Sequence, residues 1–116
     1  MAKRKPLRNL RTQAFQQQNG RCFYCNQPMW LESHNELTSR FNVTPRQARC
    51  LQCTGEHLTP FSQGGPCDRS NIVAACHYCN RARHWRVKNP RSAPAFKEHV
   101  RRRIRKGKWF APLSSV

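Results

Sequence analysis

Apolar residues near the start of the chain recur at helical spacing, at Leu7, Leu10, Ala14 and Phe15. This period predicts an amphipathic helix from Leu7 to about Gln18, because such a stripe covers one helix face. Asn19-Gly20 follows as a helix stop signal. A second stripe near the other end, at Phe96, Val100 and Ile104, predicts a helix that begins near residues 92–94 and ends at Gly107.

Between these helices the pattern changes to short segments separated by turn residues. Residues 50–60 and 71–76 are typical of two short strands, and the turn-rich run 62–66 between them predicts a hairpin. A helix is expected from about residues 76–79 to Asn89-Pro90, because the residue before a proline disfavours helix. Residues 29–49 show no clear period and are interpreted as an insertion of uncertain structure.

These elements predict a small α+β domain in a chain of 116 residues, which is enough for one core. We expect a basic N-terminal arm over residues 1–6, the main domain over 7–91, and a basic C-terminal helix and tail over 92–116.

The charge of the chain indicates a polyanionic partner. Lys and Arg number 22 against 5 Asp and Glu, which gives a formal net charge of +17. Nucleic acid is the expected partner, because its phosphates bind cations with release of counterions. An anionic membrane is the rival, but the amphipathic basic stretch is short and no apolar run approaches the roughly 20 residues of a membrane span. No apolar segment typical of a secretory signal follows the first basic residues, so we expect a cytoplasmic protein.

The cysteines number 7, an odd count that favours metal ligands over disulfides in such a protein. Three pairs have the two-residue spacing of a zinc knuckle: Cys22/Cys25, Cys50/Cys53 and Cys76/Cys79. Two pairs complete a four-thiolate zinc site, and spacing alone does not choose among the three combinations. We favour Cys22, Cys25, Cys76 and Cys79, because this set closes a long loop between two helices. Cys50, Cys53 and Cys67 then remain, either as buried small apolar residues or as a second zinc site completed by a histidine such as His34.

A group of polar residues surrounds the predicted hairpin. Glu56 is one of only five acidic residues in the chain, and it precedes His57. Asn71 opens the second strand, while Asn80 and His84 stand four apart, so they share a helix face. A hairpin folded against that helix would bring these residues around one divalent cation, although neighbours in a regular strand point to opposite faces unless the backbone twists.

These residues closely resemble the HNH endonuclease family with its ββα-metal fold, in the subgroup where two CxxC pairs bracket the motif. The resemblance covers roughly residues 20–86 and includes the Glu-His pair, Gly64-Gly65, Asn71 and the Cys-His-Tyr-Cys-Asn run at 76–80. The third signature position, often His in the family, is Asn80 here.

The resemblance implies a role for each residue. His57 would be the general base, since the ordinary histidine pKa of about 6.5 suits proton transfer near neutral pH. Glu56 and Asn80 would hold Mg²⁺ or Mn²⁺ at the scissile phosphate, and Asn71 would fix the loop that carries His57. His84 is a candidate third ligand, and its nitrogen would help Zn²⁺ or Ni²⁺ to compete for the site.

Basic residues after the motif are expected to contact phosphates without reading sequence. The candidates are Arg81, Arg83, Arg86, Arg101, Arg102 and Arg103. Trp85 and Trp109 could stack on bases, although burial is the expected place for Trp85.

The resulting hypothesis is a metal-dependent endonuclease that hydrolyses DNA phosphodiester bonds, with double-stranded DNA as the substrate. The resemblance also implies 5′-phosphate and 3′-hydroxyl ends. The alternative is a non-catalytic zinc-ribbon protein that binds nucleic acid. The sequence leaves open the sequence specificity, the oligomeric state and the choice between nicking and double-strand cleavage.

Overall fold

A two-stranded antiparallel hairpin forms the centre of the structure, a computed structural model that describes residues 6–116. Strand β2 (Cys53–His57) pairs with β3 (Ile72–Cys76), and Cys53 lies opposite Cys76 while His57 lies opposite Ile72. Both strands fall within the predicted segments. Residues 1–5, which contain most of the predicted basic arm, lie outside the described residues.

Five α-helices surround this hairpin within residues 6–116. They are α1 (Leu7–Gln17), α2 (Asn35–Thr38), α3 (Pro45–Cys50), α4 (His77–His84) and α5 (Ala93–Arg105). Helices α1, α4 and α5 correspond to the three that the sequence predicts. The fold is therefore α+β, as expected, with helices beside small antiparallel sheets.

The helix ends follow from local chemistry. Asn19 and Gly20 after α1 both have positive φ, 56° and 74°, which ends the helix. Helix α5 begins at a cap in which the Ser92 hydroxyl accepts a hydrogen bond from the Ala95 amide. At α4 the cap is a thiol, because Cys76 Sγ accepts from the Cys79 amide.

Residues 29–49, left without assigned structure by the sequence, fold into short elements. Helix α3 starts with a capping box in which Thr44 and Gln47 satisfy each other's backbone amides. Strand β1 (Phe41–Asn42) pairs with β4 (Ser114–Ser115), so the C-terminal residues return to this segment.

The hairpin lies between α1 and α4. A Cβ added at Gly55 would lie 2.8 Å from Leu7 Cδ1, so this face of β2 is in close contact with α1. The opposite face meets α4, because Thr54 Oγ1 accepts a hydrogen bond from Asn80 Nδ2 at 3.0 Å. Gln18, just after α1, exchanges two hydrogen bonds with the backbone of Ala74 at 2.8 and 2.9 Å. This arrangement fixes the hairpin between the two helices.

Helix α5 packs against the same core. Phe96 meets the ring of Tyr24 edge-on, with the ring centroids 5.0 Å apart. Ala93, Phe96 and Val100 are buried with Tyr24 in one cluster that also contains hairpin residues. No described helix is long and apolar enough to cross a membrane.

Candidate active site and zinc knuckles

Four cysteine thiols converge where the chain after α1 meets the end of the hairpin. The Sγ atoms of Cys22, Cys25, Cys76 and Cys79 all lie within 4.8 Å of one another, and all four side chains are buried. Zinc–sulfur bonds of about 2.3 Å in a tetrahedron would separate the sulfurs by about 3.8 Å. The distance from Cys25 Sγ to Cys76 Sγ is 3.9 Å. The cluster is therefore compatible with structural zinc, and the pairing favoured from the sequence is confirmed.

The surroundings of the thiols favour bound cations. Burial opposes ionisation of Cys22, but hydrogen bonds from Cys25, Cys76 and Cys79 hold the pKa of its thiol well below the usual value. Hydrogen bonding to Cys22 and Cys25, with burial, raises the pKa values of Cys76 and Cys79. The backbone amides of Tyr24 and Cys76 also point at Cys22 Sγ, at 3.4 and 3.3 Å. Hydrogen bonding within the cluster thus favours a thiolate at Cys22, and a bound cation would favour ionisation of its neighbours.

The remaining cysteines do not form a second cluster within residues 6–116. The four thiols above are the one group of three or more His, Cys, Asp or Glu side chains there that is spaced to hold a metal. Cys53 is buried, and burial raises its pKa to about 12. Cys50 and Cys67 are half-buried. His34 packs its ring on Trp30, with centroids 4.5 Å apart. The described residues therefore do not assemble the second site.

Glu56 lies at the centre of a buried polar network on the α4 face of β2. Its side chain is 3% exposed, and Oε2 accepts hydrogen bonds from the Tyr24 hydroxyl at 3.1 Å and Arg83 Nη1 at 3.2 Å. His84 Nε2 lies 3.0 Å from the other oxygen, Oε1. Burial and the charge of Glu56 together raise the pKa of Tyr24, so its hydroxyl stays protonated and donates.

Arg83 does not lie on the surface where the sequence analysis expected a phosphate contact. Its side chain is 1% exposed and pairs with Glu56. The guanidinium also donates to the carbonyl oxygens of His57, Leu58 and Arg91, at 3.0 to 3.1 Å. Because the side chain is buried and all three guanidinium nitrogens donate to acceptors inside the fold, Arg83 is a structural cation and not a DNA contact.

Asn80 and His84 line one open groove beside Glu56. They stand one turn apart on α4, and the groove is also lined by Thr54, His77, Arg81 and Trp85. The Asn80 amide nitrogen donates to Thr54 Oγ1, which leaves the amide oxygen as the free acceptor of that side chain. The structure thus places Asn80 and His84 on one groove, as the helical spacing predicts, and His84 contacts Glu56.

The Asn71 side chain is hydrogen-bonded to two points of the loop that follows β2. Its Oδ1 accepts from the Thr59 amide at 2.8 Å, and its Nδ2 donates to the carbonyls of Thr59 and Pro66 at 3.0 and 2.9 Å. Asn71 is buried. These three bonds fix the backbone of the loop next to His57.

His57 is the last residue of β2 and lies beside this loop. Its half-buried ring packs edge-on to Phe61 within the loop, with centroids 6.4 Å apart. Because side chains alternate along a strand, His57 points to the same face of β2 as Gly55, and Glu56 points to the other face. The structure therefore places Asn80 and His84 in the groove with Glu56 buried behind His84, whereas His57 lies on the opposite face of β2, next to the loop that Asn71 holds.

The other arginines predicted to contact DNA differ in exposure. Arg81, Arg86, Arg101 and Arg102 are exposed, while Arg103 is half-buried. Trp85 contradicts the expectation of burial, since its side chain is 50% exposed. Trp109 is the partly buried one, and its ring meets Tyr78 edge-on at 5.2 Å.

Tyr24 and Arg83 were not among the residues predicted to lie near Glu56. A lone acidic residue in a buried strand requires hydrogen-bonded partners, and Arg83 is one turn after Asn80 on the same helix face. The need of Glu56 for a hydrogen-bonded partner was therefore the signal that could have identified Arg83. Tyr24 sits inside a CxxC knuckle, where nothing in the spacing indicates which way its side chain points.

Comparison with known proteins agrees with these features. Residues 39–86 match the family model of the HNH endonuclease. The match contains the hairpin, Asn71 and α4, and it begins after the first knuckle, Cys22/Cys25. No curated protein and no solved structure matches the chain. Residues 39–86 of this chain are therefore similar to the HNH endonuclease family, and this similarity suggests a function related to nucleic acid.

Proposed function

We propose that the protein is a metal-dependent endonuclease that hydrolyses phosphodiester bonds in DNA. The observation that carries this proposal is the contact of buried Glu56 with His84, which lines one groove with Asn80, next to a loop that Asn71 holds beside His57. The match to the HNH endonuclease model and the net charge of +17 support the same conclusion. Double-stranded DNA is the proposed substrate.

The groove residues fit a divalent cation. A carboxylate, an amide oxygen and an imidazole are ligands for Mg²⁺ or Mn²⁺, with the imidazole also accepting Zn²⁺ or Ni²⁺. Two ligand atoms bound to one Mg²⁺ at about 2.1 Å lie about 3.0 Å apart when they are adjacent. Glu56 Oε1 and His84 Nε2 are 3.0 Å apart. When bound, the cation would neutralise charge on the scissile phosphate and on the leaving oxygen.

His57 is proposed to activate the attacking water. A ring nitrogen of His57 takes one proton as the water oxygen bonds to phosphorus, and the bond from phosphorus to the 3′ oxygen breaks. The leaving 3′ oxygen takes a proton from solvent, so that the products are a 5′-phosphate and a 3′-hydroxyl. In such a displacement the entering and leaving oxygens lie on opposite sides of phosphorus.

Asn71 acts as a positioning residue in this scheme. Its hydrogen bonds to Thr59 and Pro66 hold the loop that contains Phe61, and the Phe61 ring limits the orientations of His57. The exposed Arg81 on the groove wall would contact a neighbouring phosphate.

The test is cleavage of supercoiled plasmid by the wild type, His57→Ala and the control His34→Ala. His34 is an exposed histidine remote from the hairpin in sequence. The negative control omits Mg²⁺ and Mn²⁺ and adds no chelator, so that thiolate-bound zinc is retained. We expect nicked or linear DNA with the wild type and His34→Ala, and a rate roughly 10²- to 10⁴-fold lower with His57→Ala.

One observation favours the alternative, a zinc-ribbon protein that binds nucleic acid without cutting it. The Glu56 carboxylate already has Tyr24, Arg83 and His84 as partners, so the network is satisfied without a cation. If the wild type shifts plasmid on a gel but leaves it intact with every metal, this alternative replaces the endonuclease.

A further inference from the structure

Trp85 is a large aromatic side chain that the fold leaves half in solvent. It follows α4 directly and is 50% exposed. The guanidinium carbon of Arg81 lies 3.9 Å from the Trp85 ring centroid, and that of Arg86 lies 4.2 Å from it. Contacts of this kind are attractive because the cation meets the negative face of the ring. Two planar cations and an indole therefore form one stacked group on the surface.

The backbone at Arg86 is shaped for this stack. Its φ is 57°, a left-handed conformation that is uncommon for residues other than glycine, asparagine and aspartate. The turn is held by hydrogen bonds from the Trp85 amide to the Arg81 carbonyl, at 2.8 Å, and from the Val87 amide to the His84 carbonyl, at 3.2 Å. A residue held in a sparsely populated conformation at a surface turn indicates that its side-chain position has a use.

Two members of the stack, Arg81 and Trp85, form part of the wall of the groove that contains Asn80 and His84. A ligand in contact with the proposed metal residues would therefore also meet the indole. No acidic residue occurs between His77 and Arg91, so the surroundings attract a polyanion. An exposed aromatic ring within a basic groove is the combination that binds bases of single strands, by stacking and by phosphate contacts.

We propose that Trp85 is a stacking platform for an unpaired nucleobase: the base takes a face of the indole as the guanidinium of Arg81 or Arg86, stacked on the ring in the free protein, turns to an adjacent phosphate. In a continuous duplex the faces of the bases are covered by their neighbours, whereas an unpaired base offers a face to the indole. The class of ligand is therefore DNA with unpaired bases, at a gap, bulge or branch. This inference rests on the proposed function only in taking DNA as the partner.

The test measures binding and not cleavage, without Mg²⁺ or Mn²⁺. A short thymidine strand is compared with an abasic strand of equal length, which carries the same phosphates but no bases. We expect the wild type to bind the thymidine strand roughly 5- to 150-fold more tightly for one stacked base. Trp85→Leu, which keeps apolar area but has no aromatic face, should abolish this preference, and Trp85→Phe should keep most of it.

Matched variants separate stacking from loss of structure. Val87→Ala changes another exposed apolar side chain in the same turn and should leave the preference intact. Zinc content and circular dichroism report whether Trp85→Leu remains folded. The inference is overturned if the wild type binds both strands equally, or if folded Trp85→Leu loses the same factor on both. A protein that never cuts plasmid but shows the base preference would disprove the endonuclease and retain this platform.

The planar shape of the arginines gives a second readout. Arg81→Lys and Arg86→Lys retain the positive charge but lose the guanidinium plane. We expect the affinity for the abasic strand to stay near the wild-type value, while the preference for the thymidine strand decreases. Equal losses on the two strands would contradict stacking by these side chains.

Discussion

The hydroxyl of Tyr24, inside the first zinc knuckle, donates a 3.1 Å hydrogen bond to Oε2 of Glu56 in strand β2. The same hydroxyl accepts from Arg83 Nη1 at 3.0 Å. Tyr24 lies between the zinc-cluster residues Cys22 and Cys25, and its own amide points at Cys22 Sγ. The four-cysteine cluster is therefore connected to the buried Glu56 carboxylate through a single side chain, so a change in the position of the knuckle would move a partner of Glu56.

Tyr24→Phe tests this connection by removing one hydroxyl group. Glu56 and Arg83 each lose a buried partner, so the free energy of unfolding should fall by about 1–3 kcal/mol. Zinc content should not change, because no thiol is altered. Urea unfolding followed by circular dichroism measures the loss. Tyr78→Phe serves as the control, since Tyr78 contributes ring contacts with Trp109 and Phe110, and its stability should stay near the wild-type value.

Arg83→Met should be strongly destabilising, because it leaves Glu56 with an uncompensated buried charge. Removing one partner of a buried ion pair costs about 3–5 kcal/mol. The exposed Arg86 provides the matched control, and Arg86→Met should change the free energy of unfolding little. The double variant Glu56→Leu/Arg83→Met removes both charges and should regain much of the stability. Equal stability of Arg83→Met and Arg86→Met in urea would contradict the buried network.

Much of the site could be predicted because its determinants are local in sequence. The period of α4 places Asn80 and His84 on one face, and the turn residues between two short apolar segments define the hairpin. The pairing of Cys22/Cys25 with Cys76/Cys79 follows from joining two helix ends. Each of these inferences needs only spacing and the geometry of one element.

The parts that were not predicted depend on tertiary contacts. Strands β1 and β4 contribute two residues each and are joined across most of the chain, so no periodic pattern marks them. Arg83 lies in a basic run that resembles a solvated surface, and only its proximity to Glu56 explains its burial. Trp85 is a large apolar residue of the kind that is usually buried in a core, yet the turn at Arg86 directs its side chain outward. In each case the sequence specifies the residue but not its neighbour.

Cys22→Ser and Cys79→Ser should each lose zinc and the folded structure together. Structural zinc contributes roughly 10–16 kcal/mol in finger peptides, which is comparable to the stability of a whole domain. Cys50→Ser, outside the cluster, should retain both zinc and fold. Zinc is measured by atomic absorption and folding by circular dichroism. A folded Cys79→Ser protein with one equivalent of zinc would contradict the four-thiolate assignment.

The affinity for duplex DNA should decrease steeply with salt. Each phosphate contact contributes a slope of about −0.9 in a plot of log affinity against log salt, so Arg101→Gln or Arg102→Gln should each reduce the slope by about one such step. Glu98→Gln, on the same helix, removes a negative charge and should raise the affinity. Fluorescence anisotropy over a salt series measures these changes. A flat plot for the wild type would exclude phosphate contacts as the source of binding.

Gly65 and Gly64 give a matched pair for the loop that Asn71 holds. A Cβ at Gly65 would lie 1.8 Å from the Thr59 carbonyl oxygen and 2.8 Å from Asn71 Nδ2, so Gly65→Ala must displace the loop from Asn71. The Thr59 amide, which donates to Asn71 Oδ1, should then exchange with solvent much faster.

Gly64→Ala places the same methyl group in open space, where no other atom lies within 4 Å. Its cost is confined to the left-handed backbone, with φ at 82°, and should be about 1–2 kcal/mol. The Thr59 amide should therefore keep most of its protection in Gly64→Ala. Hydrogen exchange followed by mass spectrometry compares the two variants. If the Thr59 amide is protected from exchange as well in Gly65→Ala as in Gly64→Ala, Asn71 does not control the loop. The positioning role assigned to Asn71 next to His57 then has to be abandoned.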